Sequence, residues 1–221
     1  MFLIGLTGGI AAGKSTVAEH WRELGAHEVD ADALAREAVA AGTSGLAEVA
    51  KEFGTSVISE SGELDRKALG QIVFSNPTKR KKLEEIIHPI VRSLASEQFE
   101  HLAAEHGTDA IVVYNIPLLA ETDSDLPFDT VVTVEAPEDK QIERMVKHRG
   151  LSKAEAIARI KSQATPIQRA IRADHILNSN QELALLLRDA ENLFNEFVTR
   201  AHEKARREAA DKREAADANG R

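Results

Sequence analysis

The sequence predicts an α/β fold in three layers, with helices on both faces of a five-stranded parallel sheet. Three observations carry this. Phe2-Leu3-Ile4-Gly5-Leu6-Thr7 is an apolar run short enough for a buried strand. It leads directly into Gly8-Gly9-Ile10-Ala11-Ala12-Gly13-Lys14-Ser15, which matches the P-loop pattern G-x-x-x-x-G-K-[ST]. Continuous β-branched runs and helical periods then alternate along the chain, as parallel sheets require.

The first element sets the chemistry. Val17, Ala18, Trp21 and Leu24 form one face of a helix after the loop, and Gly25 is a C-terminal stop. Gly8 and Gly13 permit backbone turns that a Cβ would resist. The amides of Gly9, Ala11, Ala12, Gly13, Lys14, Ser15 and Thr16 can then converge on phosphate oxygens at a positive helix end. Lys14 reaches the outer phosphates, and the Ser15 hydroxyl suits magnesium. The competing reading is an ordinary tight turn between strand and helix. The flanking strand and helix favour a nucleoside triphosphate site, with no reaction named by the motif.

Composition narrows the class. The 221 residues suffice for one sizeable core with an insertion or lid. Hydrophobic content of 43% with 29% charged residues is globular, not disordered. There are 36 acidic against 28 basic residues, a net charge of -8, which disfavours general nucleic-acid binding. The absence of cysteine excludes a disulfide, a thiol nucleophile and a zinc–thiolate site. No basic leader precedes the first strand, and the apolar stretch Ala110 to Ala120 is broken by Asn115 and Pro117. A cytoplasmic protein without membrane or nucleic-acid partners is expected, as a monomer by default.

Glu28-Val29 reads as a second strand, and Ala33 to Ala41 as a helix. Asp30 and Asp32 lie between them, at the strand end where ligands bind in open α/β sheets. One of the two can face an attacking hydroxyl; equally, Asp30 can cap the helix with Asp32 in its first turn. Residues 42–107 read as a mostly helical insertion, a separate acceptor-binding lobe. Asp65 and Asn76 are helix caps, Pro77 takes a first helical position, and His88-Pro89 is expected to interrupt the helix. The basic run Lys79 to Lys82 is either a solvated face or a contact for a phosphorylated acceptor. His88 is either structural or catalytic.

Ala110 to Tyr114, Thr130 to Val134 and His175 to Leu177 are the remaining strands. A P-loop protein usually places an acid after the strand that Asn115 ends. The amide must then hold metal through water, or Glu121 or Asp32 supplies the charge. Ser152 and Glu155 fit a capping box for a helix to about Ala164. Arg144, Arg149, Arg159, Arg169 and Arg172 suggest a lid within about 140–172 that neutralises phosphoryl charge. Leu183 to Phe197 is an amphipathic closing helix. The segment 201–221 has no apolar face and is expected as a frayed helix or disordered tail.

These residues resemble the dephospho-CoA kinases through about Leu193. The family's opening is similar to GLTGGIAAGKS, Gly5 to Ser15. Its D-A-D with x-A-R is Asp30-Ala31-Asp32 with Ala35-Arg36. Its H-P-x-V is His88 to Val91, its P-L-L-x-E is Pro117 to Glu121, and its Q-A-x-x-x-x-R is Gln163-Ala164 with Arg169. The resemblance implies a three-layer P-loop kinase fold with an inserted helical acceptor-binding domain at 42–107 and a lid, the core being 1–41 and 108–200. It implies transfer of the ATP γ-phosphate to the ribose 3′-hydroxyl of dephospho-coenzyme A, with Mg2+. Asp32 takes the place of the family's base, beside Lys14 and Arg144 as catalytic residues. Arg149 takes a place among the nucleotide contacts, His88, Leu118 and Glu121 among the acceptor contacts, and Ser15 that of the metal ligand.

Five positions and the tail after Ala201 depart from the family pattern. Ala11 and Ala12 replace a glycine-serine pair, so ordinary negative φ is expected at both. Asn115 replaces an acid, and Ser179 and Gln181 replace an asparagine and a glycine near the expected adenine loop. The rival readings are a kinase of another small metabolite, such as a nucleotide or shikimate, a P-loop switch, and a catalytically dead paralogue. A GTPase would need Asn-Lys-x-Asp, which does not occur.

Overall fold

A computed structural model describes residues 1–117, 119–120 and 126–219. The chain divides into two compact units: Met1–Val29 with the chain from His101 on, and Asp30–Glu100. The second unit begins earlier than the insertion expected at 42. The reason is local. Asp30 ends the second strand and its carboxylate immediately accepts the Asp32 N–H at 2.8 Å, capping a helix. The chain therefore leaves extended geometry at that residue.

The first unit is built on five parallel strands: β1 (Phe2–Gly8), β2 (His27–Asp30), β3 (Ile111–Asn115), β4 (Thr130–Glu135) and β5 (His175–Asn178). Their order is β2-β3-β1-β4-β5. β1 lies centrally, with Ile4 in register with Val113 on one side and Thr130 on the other. All seven of its residues are buried, which is why it reads as an unbroken apolar run rather than an alternating one.

Two helices close one core. α1 (Lys14–Glu23) and α9 (Leu183–Asn219) pack on each other and against β1. Trp21 sits between them, fully buried, and its indole N–H donates to the Ala190 carbonyl at 2.9 Å. Phe194 and Phe197 lie 6.2 and 6.0 Å from its ring centroid. A buried indole thus keeps both its area and its donor satisfied.

α9 does not stop at Ala201. Ala201 is 1% exposed, and the Lys204 ammonium donates to both Asp129 carboxylate oxygens at 2.8 Å and to the Met1 carbonyl at 3.1 Å. Arg200 lies 5.2 Å over the Phe2 ring. The charged segment, expected as a frayed helix or disordered tail, continues as helix to Asn219. Its anchors are ion pairs and one small residue, none of which makes an apolar stripe.

Three further helices complete this unit. α6 (Glu138–Arg149) ends at Gly150, whose φ of 64° only a residue without Cβ adopts cheaply. α7 (Lys153–Lys161) has the expected Ser152–Glu155 capping box. It ends before Ala164, because a second box, Thr165 with Gln168, opens α8 (Pro166–Arg172).

The second unit is helical. It holds α2 (Ala31–Ala38), α3 (Ser44–Phe53), α4 (Arg66–Phe74) and most of α5 (Pro77–His106). Val39, Val49, Val57 and Leu69 form its centre, with Phe53, Ile86 and Ile87 packed on them. Asp65 caps α4 through the Lys67 and Ala68 amides, and Asn76 caps α5 through Lys79. The break expected at His88-Pro89 does not occur; Pro89 lies inside α5. A proline deletes one N–H and crowds the preceding turn. In a helix of 30 residues the bonds on either side outweigh that local loss.

Replacing Trp21 with alanine empties the junction of α1 and α9 and removes the indole bond to the Ala190 carbonyl. Trp21→Ala is expected to cost about 3–5 kcal/mol, read as a shift in urea midpoint. A loss below about 1 kcal/mol would show that the core does not depend on this indole.

Candidate functional site

The loop between β1 and α1 is shaped by its neighbours. A Cβ at Gly8 would stand 2.5 Å from the Val134 carbonyl oxygen of β4, so this position accepts glycine alone. Gly13 has φ 105° and precedes α1 with no side-chain cap. The Thr16 and Val17 N–H groups donate to the Gly13 carbonyl at 3.1 and 3.3 Å, and with no side-chain cap the start of α1 suits an anion.

Ala11 corrects an expectation. Its φ is 55°, in the left-handed region, where negative φ was anticipated. Hydrogen bonds to its neighbourhood hold it there. The Arg144 guanidinium donates to the Ala11 carbonyl at 3.1 Å, to Ser179 Oγ at 3.0 Å and to the Ser179 carbonyl at 2.8 Å. Ser179 Oγ in turn donates to the Ala12 carbonyl, and the Ala12 N–H donates to Gly9 at 3.0 Å. A left-handed alanine costs about 1 kcal/mol, which this bracing offsets.

The same brace borders a cavity of about 290 Å³ lined by Lys140, Arg144, Lys147, His148, Ser179 and Gln181 among others. Gln181 is held by a hydrogen bond to Asp189 at 2.9 Å. Ser179 is therefore not an idle replacement for asparagine. It is 1% exposed and ties the loop after β5 to the phosphate loop.

Lys14 donates to Asn115 Oδ1 at the end of β3. Asn115 Nδ2 donates to Glu28 on β2 at 2.7 Å, and Glu28 also meets Arg22 of α1 at 3.2 Å. Ser15 and Thr16 follow Lys14 in the first turn of α1, Ser15 exposed. No group of three His, Asp or Glu side chains placed to hold a metal ion occurs among the described residues. A magnesium ion bound mainly through phosphate oxygens and water needs no such cluster.

The arginines divide. Arg169 is 4% exposed and grips both Glu135 oxygens at 2.6 Å, with a third bond to the Ala164 carbonyl. It ties α8 to β4, and its guanidinium also lies close to Gly9 of the loop, 3.0 Å from where a Cβ there would stand. Gln163, just before it, accepts the Ile10 N–H of the loop at 2.8 Å. Arg149, Arg159 and Arg172 are exposed.

In the helical unit, Asp32 is exposed in the first turn of α2 behind the Asp30 cap. His88, exposed on α5, lines a cavity of about 460 Å³ with Pro89, Arg92, Ser93 and Ser96. In the basic run, Arg80 and Lys82 face Glu84 and Glu85 along α5, as on a solvated helix. The Glu85 carboxylate raises the Lys82 ammonium above its ordinary range. Leu118 and Glu121, expected at the acceptor, lie outside the described residues.

Glu28 and Glu135 were not singled out for a role from sequence, and Gln163 only as part of the Q-A-x-x-x-x-R motif. Glu28 stands in a short strand like any edge carboxylate. Only its neighbour Asn115, an amide where an acid was expected, hinted that a charge had to come from elsewhere.

The family model described as dephospho-CoA kinase matches residues 2–184. The chain belongs to the dephospho-CoA kinase family. A dephospho-CoA kinase of Streptomyces avermitilis is 43% identical over 203 residues, covering 92% of this chain and 97% of that one. A Thermus thermophilus structure superposes with TM-score 0.75 at 34% identity, over 88% of this chain and 97% of the other. The dephospho-CoA kinase of Campylobacter jejuni gives TM-score 0.56 at 28% identity, over 88% and 96%. Members of the dephospho-CoA kinase family are ATP-dependent phosphotransferases, and the P-loop described above is the part of this chain that such chemistry needs.

Relieving the left-handed alanine tests the brace. Ala11→Gly is expected to stabilise the protein by about 0.5–1 kcal/mol, or roughly 2 °C in melting temperature. An unchanged or lower melting temperature would mean that no strain resides at Ala11.

Proposed function

We propose that this chain transfers the γ-phosphate of ATP to the 3′-hydroxyl of the ribose in dephospho-coenzyme A, giving coenzyme A and ADP, the last step of coenzyme A biosynthesis. Family membership over residues 2–184 is the observation that carries this reading. The substrates, ATP and dephospho-coenzyme A, accord with a cytoplasmic location. No helix among the described residues is long and apolar enough to cross a membrane.

In this reading the loop amides and Lys14 hold the β- and γ-phosphates. The 3′-oxygen bonds to the γ-phosphorus as the bond to the β–γ bridging oxygen breaks, and Asp32 accepts the hydroxyl proton late. Ser15 and the phosphates would hold Mg2+, which supplies charge neutralisation when bound. The described oxygen donors, a helix-start hydroxyl and the Asn115 amide, fit an ion that keeps several waters. Nucleotide contact falls to Gly8, Gly9, Ala11, Ala12, Gly13, Thr16 and Arg149. The acceptor falls to Asp32, His88, Leu118 and Glu121, and the cation and hydroxyls around His88 suit its phosphates.

Arg144 enters as a catalytic cation. Its bonds to Ala11 and Ser179 add a second duty, bracing the loop.

The direct test is ADP release from magnesium-ATP with dephospho-coenzyme A and with a panel of nucleoside and sugar acceptors. Stimulation by dephospho-coenzyme A alone, with coenzyme A formed, is the expected result; stimulation only by another acceptor would overturn the assignment. Asp32→Ala should abolish turnover while ATP binding stays nearly intact, and a loss of ATP affinity matching that of Lys14→Ala would remove Asp32 from the base role. Arg144→Ala should lower turnover by about a hundredfold. An equal loss confined to ATP affinity would leave Arg144 the bracing duty alone.

A further inference from the structure

We infer that Glu28 is a positioning residue for the phosphate-loop lysine, acting through Asn115. This inference deepens the kinase reading given above, and it needs only that the loop binds ATP.

The logic lies in donors and acceptors. An asparagine side chain is nearly symmetric in shape, but one end accepts and the other donates. Asn115 stands between a lysine, which only donates, and a glutamate, which as a carboxylate only accepts. One orientation satisfies both: Nδ2 toward Glu28, at 2.7 Å, and Oδ1 toward Lys14. Glu28 therefore sets the polarity of the amide, and the amide aims the lysine. Without Glu28 the Nδ2 group loses this acceptor, and the amide is no longer held in this orientation from both ends.

The arrangement also answers where the charge went. The position at the end of β3 carries an amide instead of an acid, and the neighbouring strand β2 carries the carboxylate. The negative charge has moved one strand outward, with the amide as relay. Glu28 is partly buried, with 20% of its side chain exposed, and its second oxygen faces Arg22 at 3.2 Å. Arg22 and Lys14 both belong to α1, so the relay starts and ends on the helix whose N-terminus faces the nucleotide. The competing view is that Glu28 exists only to pair Arg22; that pair is half exposed on the arginine side and worth little.

The test measures affinity of the full chain for a fluorescent ATP analogue with magnesium, without any acceptor, so that a wrong acceptor assignment does not affect it. Glu28→Leu should weaken binding by about tenfold, and Glu28→Gln, which retains an acceptor for Nδ2, should stay within about threefold. Asn115→Asp alone sets two carboxylates against each other and should weaken binding by more than about tenfold. The double variant E28Q/N115D, in which the introduced amide donates to the introduced carboxylate, should recover to within about threefold of the native chain. Arg22→Ala should change affinity by less than about twofold. Unchanged affinity in Glu28→Leu, or no recovery in the double variant, would overturn the inference. So would an Arg22→Ala loss equal to that of Glu28→Leu. Should Glu28→Leu fail to fold, the comparison of Asn115→Asp with the double variant decides.

Discussion

The nucleotide loop rests on one close approach, the end of β1 against β4. Gly8 is in register with Val134, and no side chain fits in the space between their backbones. β1 can be a central strand only if it leaves the sheet through that gap. From there the chain must turn sharply, which Gly13 allows, and then begin a helix whose uncapped end faces the loop. Ser179, after β5, and Arg144, on α6, brace the outer side of the turn. The loop is thus a product of strand order as much as of its own residues.

Much of this was legible in the sequence. The central strands β1, β3 and β4 are largely apolar, buried runs and were visible to within a residue at the ends. The short edge strands β2 and β5 are mixed and only partly buried, and were read from two or three residues each. Caps were legible because a cap is a local matter: Asp65, Asn76 and Ser152 each bond amides two or three residues on. What escaped depended on partners distant in sequence. Asp30 and Asp32 could not be separated by spacing, since both readings place a carboxylate at a strand end. Pro89 misled because its cost is local and the support for α5 is spread along its length. Ala11 was expected at negative φ because Arg144 and Ser179, which hold it otherwise, come from far along the chain.

The arginines within 140–172 stand in different surroundings. A set of arginines near a phosphate site invites a single role. Arg169 is instead enclosed by Glu135, while Arg144 holds carbonyl oxygens at the loop. Arginine presents a rigid fork of donors, so it serves equally well to fix a backbone or to meet an anion. The Arg169 guanidinium is 4% exposed and donates to the Glu135 carboxylate and the Ala164 carbonyl.

Strand order carries a kinetic consequence. β1 is made first, yet both of its neighbours come much later: Phe2 pairs with Ile111 and Ile4 with Thr130. On a ribosome, the most apolar strand emerges long before it has anything to pair with, and its loop-closure entropy falls due only after about a hundred residues. The segment Asp30–Glu100, with its own core, contains no such delayed pairing. It can collapse while β1 waits. The phosphate loop, which follows β1 directly but is braced by Arg144 and Ser179 from far along the chain, is thus among the last parts of the molecule to acquire its shape, and the exposed strand is the stretch most in need of protection during synthesis.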